Sequence, residues 1–234
     1  MSPRERAAHS KWAPVIFAAF LAAPAIAQDA SPDQGQRIAT QGAGPAVAAC
    51  ASCHGTRGEG GAAFPRLAGT GQAYLQAQLE AFASGTRKSP LMQPIAQGLS
   101  PAQRVSVVRF YSGLPPPPRT VDAAAVKPAD NGAWIATRGR WSDDLPACAQ
   151  CHGPGGNGVG ATFPPLAGLP ANYIAEQLRS WKSGSRPPGP QALMAAVANK
   201  LSDADVAAVS SYYAGLIAGV TTAGAVSSNR KVAP

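Results

Sequence analysis

The sequence predicts an all-α protein made of two tandem homologous domains joined by a proline-rich linker. Three observations carry this. Segments between Gly35 and Leu114 recur in the same order between Gly132 and Leu216, at an offset that drifts only from 97 to 102 residues. Apolar residues in both halves fall at helical spacing. No run alternates apolar and polar residues as a half-buried strand would.

Composition sets the outer bounds. The 234 residues are 45% hydrophobic with a mean hydropathy of −0.06. So much apolar surface can offset chain entropy, which excludes a wholly disordered chain. No apolar run reaches the ~18–20 residues of a membrane-spanning helix, which excludes a polytopic membrane protein.

The N-terminus resembles an export signal. Arg4, Arg6 and Lys11 precede an uncharged stretch from Trp12 to Ala27, which ends in Ala25-Ile26-Ala27. This pattern predicts a secretory signal peptide over residues 1–27, cleaved after about Ala27, and a periplasmic location. An uncleaved anchor is the weaker alternative, because the stretch is short for a span. Cleavage lowers the formal charge from +8 to +6 and leaves four Cys, two His and two Met.

A first domain follows over residues 28–114. Helices are expected at Asp33–Gln41, at Gly71–Ser84 with Tyr74, Leu75, Leu79 and Phe82 on one face, and from Ser100 onward. Ser100-Pro101 supplies an N-cap and a first-turn proline, and Gln103 completes a capping box. Pro115-Pro116-Pro117-Pro118 opens a linker over residues 115–128, semi-rigid through its polyproline preference. The second domain, residues 129–218, repeats the pattern at Asp130–Arg138, Pro170–Ser183 and from Ser202, where Asp205 is a weaker box partner. Residues 219–234 form a small, polar tail.

The chemistry lies in two motifs. Cys50-Ala-Ser-Cys53-His54 and Cys148-Ala-Gln-Cys151-His152 both match C-x-x-C-H. Two thiols three residues apart on one helical turn can add to the two vinyl groups of one haem, and the adjacent histidine can ligate its iron. The alternatives fit less well. A four-cysteine zinc site would need a much shorter interval between its pairs. A thiol-redox pair would need a βαβ setting. Structural disulfides would leave both histidines unexplained. The sequence therefore predicts two covalently bound haem c groups.

Scarcity points to the remaining ligands. With the signal removed, each repeat holds one Met at a matching place, Met92 and Met194. Thioether sulfur is a known axial ligand that raises haem potential; the alternative is a core filler. A ligating histidine donates its other nitrogen to an acceptor, and the carbonyls of Pro65 and Pro164 are candidates. Arg87 and Arg186 are read either as contacts to haem propionates or as a solvated face. The glycine-rich loops after each histidine are expected to wrap tightly, and they lack the context of a phosphate cradle.

These residues resemble two fused class I cytochrome c domains, most like the di-haem cytochrome c4 family. The resemblance rests on both C-x-x-C-H motifs, on Phe64-Pro-Arg-Leu-Ala-Gly69 and Phe163-Pro-Pro-Leu-Ala-Gly168, and on Met92 and Met194. It implies a small helical fold per domain, with haems held by Cys50, Cys53, Cys148 and Cys151. It implies iron ligation by His54/Met92 and His152/Met194, with Pro65 and Pro164 accepting from the histidines. It also implies periplasmic electron transfer to a terminal oxidase.

Function is expected to be single-electron carriage between respiratory donors and a terminal oxidase or reductase, without catalysis. The alternatives are an electron-accepting subunit of a membrane-associated dehydrogenase, a di-haem redox enzyme, or a haem gas sensor. A peroxidase-like site would want a spare acid–base group, and no His or Cys is left over. The basic charge predicts docking on acidic protein surfaces or anionic membrane headgroups. Scattered charge and few aromatics make nucleic acid a poor partner.

Overall fold

The structure, a computed structural model, describes residues 31–117 and 130–216. The expected signal peptide, most of the linker and the tail lie outside these residues. The first half contains α1 (Pro32–Gln41), α2 (Ala51–His54), α3 (Gln72–Ala83), α4 (Met92–Gly98) and α5 (Pro101–Gly113). The second half contains α6 (Asn131–Arg138), α7 (Cys148–His152), α8 (Ala171–Lys182), α9 (Leu193–Asn199) and α10 (Asp203–Gly215). Among the described residues the only β pairing is two isolated bridges, Arg140–Leu145 and Val159–Phe163.

Helix ends follow local chemistry. The Ser31 side chain accepts from the Gln34 amide and caps α1. Ser100 and Gln103 form a complete capping box at α5. Ser202 and Asp205 do the same at α10, so the Asp variant also closes the box. The short helices α4 and α9 were not expected from the sequence. At seven residues each they hold too few positions to show a helical period, and they depend on packing against α3 and α8.

The two halves fold around equivalent cores. One contains Ile38, Val47, Leu75, Leu99, Val108 and Tyr111. The other contains Ile135, Leu145, Ile174, Leu178, Val206 and Tyr213. In each, the first helix crosses the last at backbone contact. A Cβ on Gly35 would strike the Ser106 carbonyl, and one on Gly132 would strike the Ala208 carbonyl. Only glycine permits that approach. At the start of the linker, Pro116 packs over Gly69 of the first half.

The halves meet through α3 and α8. The Tyr74 amide donates to the Ala161 carbonyl of the other half at 2.9 Å. The pseudo-equivalent side of the contact is looser. There a cleft of about 410 Å³ lies between residues 59–62 and residues 168–172.

Candidate haem sites

Each C-x-x-C-H motif forms one helical turn ending on its histidine. His54 closes α2 and His152 closes α7, and both are buried. The glycine-rich loops then wrap back over that turn. The Gly60 amide donates to the His54 carbonyl at 2.8 Å, and the Gly58 carbonyl accepts from Leu67 and Ala68 at 2.8 and 2.9 Å. In the second half Gly158 donates to His152 at 2.7 Å, while Gly156 accepts from Leu166 and Ala167 at 2.8 and 3.0 Å. The expected tight wrapping is what forms.

The wrap delivers an acceptor to each imidazole. His54 Nδ1 lies 2.8 Å from the Pro65 carbonyl, and His152 Nδ1 lies 2.7 Å from that of Pro164. Carbonyl oxygen only accepts, so Nδ1 carries the proton and Nε2 is left with its lone pair. Burial pushes both histidines below their usual pKa, and the carbonyl bond opposes this. Phe64 and Phe163 meet the rings edge-on, with centroids 5.9 and 6.3 Å away.

The four thiols are unpaired. Cys53 and Cys151 are exposed, while Cys50 and Cys148 are half-buried. Burial raises the Cys50 pKa and pushes Cys148 up to about 11. Met92 begins α4, its amide donating a hydrogen bond to Ser89 Oγ at 3.1 Å. Met194 is the second residue of α9 and packs against the second core, as do Cys148 and Tyr212. The Tyr212 hydroxyl is buried with no hydrogen-bond partner among the described residues. Two reduced thiols, a histidine with a free Nε2 and an orphaned hydroxyl on the same core fit a covalently held porphyrin.

One reading needs correction. Arg87 and Arg186 are not on a solvated face; they are 7% and 5% exposed and lie between the domains. Of their partners, Tyr74 is placed by the sequence only on an apolar helix face, and Gln78, Tyr173 and Gln177 are given no site role by it. The available signal was that identical polar residues recur at matching places on otherwise apolar helix faces.

The all-helical duplicated fold and its two matched motifs define a di-haem c-type cytochrome, an electron carrier with two covalently bound haem c groups. Comparison with known proteins agrees. The family model for cytochrome c matches residues 32–112 and 144–216. A thiosulfate dehydrogenase electron acceptor of Stutzerimonas stutzeri (strain A1501) is 44% identical over 199 residues, covering 84% of this chain and 92% of that protein. Cytochrome c4 of Azotobacter vinelandii is 35% identical over 182 residues, covering 73% and 85%. The solved cytochrome c4 of Pseudomonas stutzeri superposes with a TM-score of 0.67 at 32% identity, covering 80% of this chain and 99% of that one. The solved thiosulfate dehydrogenase (TsdBA) of Marichromatium purpuratum gives 0.69 at 43% identity, covering 78% of this chain. This chain spans only 40% of that one. The chain belongs to the cytochrome c family.

Proposed function

We propose that this chain accepts electrons one at a time from a thiosulfate-oxidising dehydrogenase in the periplasm and passes them to further redox proteins. The observation that carries this is the 44% identity over 92% of a thiosulfate dehydrogenase electron acceptor. The charge balance suits it. Joining two thiosulfate ions through one S–S bond releases two electrons, and two one-electron sites hold that pair.

Bound haem supplies a reversible one-electron Fe(III)/Fe(II) couple. The residues around it do the rest. Cys50, Cys53, Cys148 and Cys151 would anchor it through thioether bonds. His54 and His152 would ligate the iron through Nε2, their rings held in orientation by the Pro65 and Pro164 carbonyls. Met92 and Met194 would supply thioether ligands to the iron, which would favour electron transfer over substrate binding and raise the potential. Leu91 and Leu193, 63% and 47% exposed, stand immediately before the methionines and offer apolar contact to a docking partner. The net positive charge favours partners with acidic surfaces, or an anionic membrane face.

A second reading is a free carrier to a terminal oxidase. It is favoured by the match to nearly the whole of a solved cytochrome c4. One experiment separates them. Oxidised holoprotein is mixed with a thiosulfate dehydrogenase and thiosulfate, and haem reduction is followed by stopped-flow absorbance. Rapid reduction of both haems, dependent on enzyme and on thiosulfate, supports the acceptor role. No reduction, with ready oxidation by a terminal oxidase, returns the protein to the free-carrier reading.

A further inference from the structure

Arg87 and Arg186 form a buried dication with neutral partners. Arg87 donates to Gln78 Oε1 of its own domain at 2.7 Å, and across the interface to Gln177 Oε1 at 2.7 Å and the Tyr173 hydroxyl at 3.3 Å. Arg186 mirrors this, donating to Gln177 at 2.9 Å, Gln78 at 3.0 Å and the Tyr74 hydroxyl at 3.2 Å. Each glutamine oxygen therefore serves both arginines. None of the ion pairs among the described residues includes either one.

This arrangement is short of negative charge. A guanidinium does not give up its proton in a protein, so both cations persist. Taking them from water is costly, and each repels the other. Burial first, then the charge of Arg87, push the Arg186 pKa down. Phe82 and Trp181 offset part of this, with the guanidinium carbons 4.5 and 3.9 Å from their ring centroids. Elsewhere the same fold provides carboxylates. Arg104 is also buried, but it pairs with Glu80 at 2.9 Å. Arg87 and Arg186 have no such carboxylate partner among the described residues.

Position suggests the missing anion. Arg87 lies on the segment from α3 to α4 that leads to Met92, and Arg186 on the segment from α8 to α9 that leads to Met194. A haem anchored at its vinyl groups carries two carboxylates on the opposite edge. Those carboxylates arrive with the cofactor, so no separate anion is required.

We propose that Arg87 and Arg186 are shared counter-ions for the carboxylates of both haems, tying the two redox sites to one cationic cluster across the domain interface. This rests on the haem assignment above. Positive charge near each iron favours the reduced state, and because the arginines share acceptors, disturbing one disturbs both sites.

The test uses the full holoprotein and the variants Arg87→Gln, Arg87→Lys and Gln78→Glu. Haem content and the near-infrared sulfur-to-iron band of the wild type check the haem assignment independently. With that intact, Arg87→Gln is expected to lower the reduction equilibrium constants of both haems, about tenfold for the more affected one, or 59 mV for a one-electron couple. Arg87→Lys, which keeps the charge, is expected to restore most of this. Unchanged potentials in a fully loaded Arg87→Gln protein overturn the inference and leave the arginines as interdomain fasteners. Gln78→Glu covers the case in which Arg87→Gln does not assemble. If the haem carboxylates already neutralise the arginines, an added carboxylate gives no gain in thermal stability and lowers both potentials. A large gain in melting temperature shows that the cluster lacked counter-charge, which also overturns the proposal.

Discussion

Asp205 accepts hydrogen bonds from both terminal nitrogens of Arg140, at 3.2 and 3.1 Å. The same carboxylate takes one from the Asn131 amide group at 3.0 Å and one from the Ser202 backbone at 3.0 Å. It thereby joins α6, the loop after it and the start of α10. Desolvation alone would raise the Asp205 pKa, but these bonds outweigh it and hold the carboxyl well below its usual range.

That depression fixes the sign of an acid effect. A folded-state pKa below the unfolded value stabilises the protein above the unfolded pKa of about 3.9, and the contribution fades as pH falls through the folded value. Asp205→Asn is expected to cost about 1–3 kcal/mol near neutral pH. Its deficit against wild type should shrink below about pH 4. Urea unfolding of both proteins at pH 7 and in acid measures this. The equivalent residue in the first half is Gln103, which is uncharged, so acid should loosen the second domain first.

Gly58 and Gly156 lie against tyrosine rings. A Cβ on Gly58 would come 2.6 Å from Tyr111, and one on Gly156 would come 2.5 Å from Tyr213. Both backbones have φ of +70°. Gly58→Ala or Gly156→Ala should therefore cost about 2–4 kcal/mol through strain plus overlap. Gly184→Ala, at φ +72° with nothing within 4 Å of the added atom, isolates the strain and should cost about 1 kcal/mol. Thermal melts of the three variants test the ranking.

The loop before Met194 is three residues longer, counted from the preceding arginine, than the loop before Met92. It places Gln191 and Ala192 in consecutive left-handed conformations, at φ 55° and 54°. Neither residue favours that region. Ala192→Gly should stabilise the second domain by about 0.5–1 kcal/mol, net of the greater freedom glycine has when unfolded. A fall in denaturation midpoint would contradict this.

Met92→Ala and Met194→Ala should each remove about half of the sulfur-to-iron charge-transfer band and lower one of the two potentials. Each should open one reduced iron to carbon monoxide. Absorbance and redox titration of the holoproteins check both effects. If either variant kept the full band, that methionine would not be a ligand.

Reduction by the physiological donor should slow as salt rises, since exposed charges are screened beyond a Debye length of about 8 Å at 0.15 M ionic strength. A rate that does not change between low and high salt would show that the basic charge does not guide docking.

Much of this was legible in the sequence because it is local or repeated. The C-x-x-C-H turns, the Ser100 and Ser202 caps and the apolar faces of α3 and α8 are each set within a few residues. The histidine acceptors Pro65 and Pro164 were found because both repeats bring a proline at nearly the same distance. What stayed hidden depends on distant parts of the chain. The α4 and α9 helices exist through packing on their neighbours. Arg87 and Arg186 look like surface arginines until the opposite domain covers them. Trp141, 63% exposed, lies on a turn closed by Arg140 and Leu145 that is one residue longer than the turn of residues 43–47 in the first half, which has no aromatic residue from which to infer it.

The reciprocal use of Gln78 and Gln177 also bears on how the chain came to be. Tyr, Gln and Arg occupy the same three places in each repeat, and each set completes the other. A one-domain ancestor with these residues could have formed a symmetric homodimer through a self-complementary patch. Fusing the copies makes that association independent of protein concentration. It also frees the halves to diverge: one flank of the contact now closes at Ala161 while the other stands open, an asymmetry that a dimer of identical subunits could not keep.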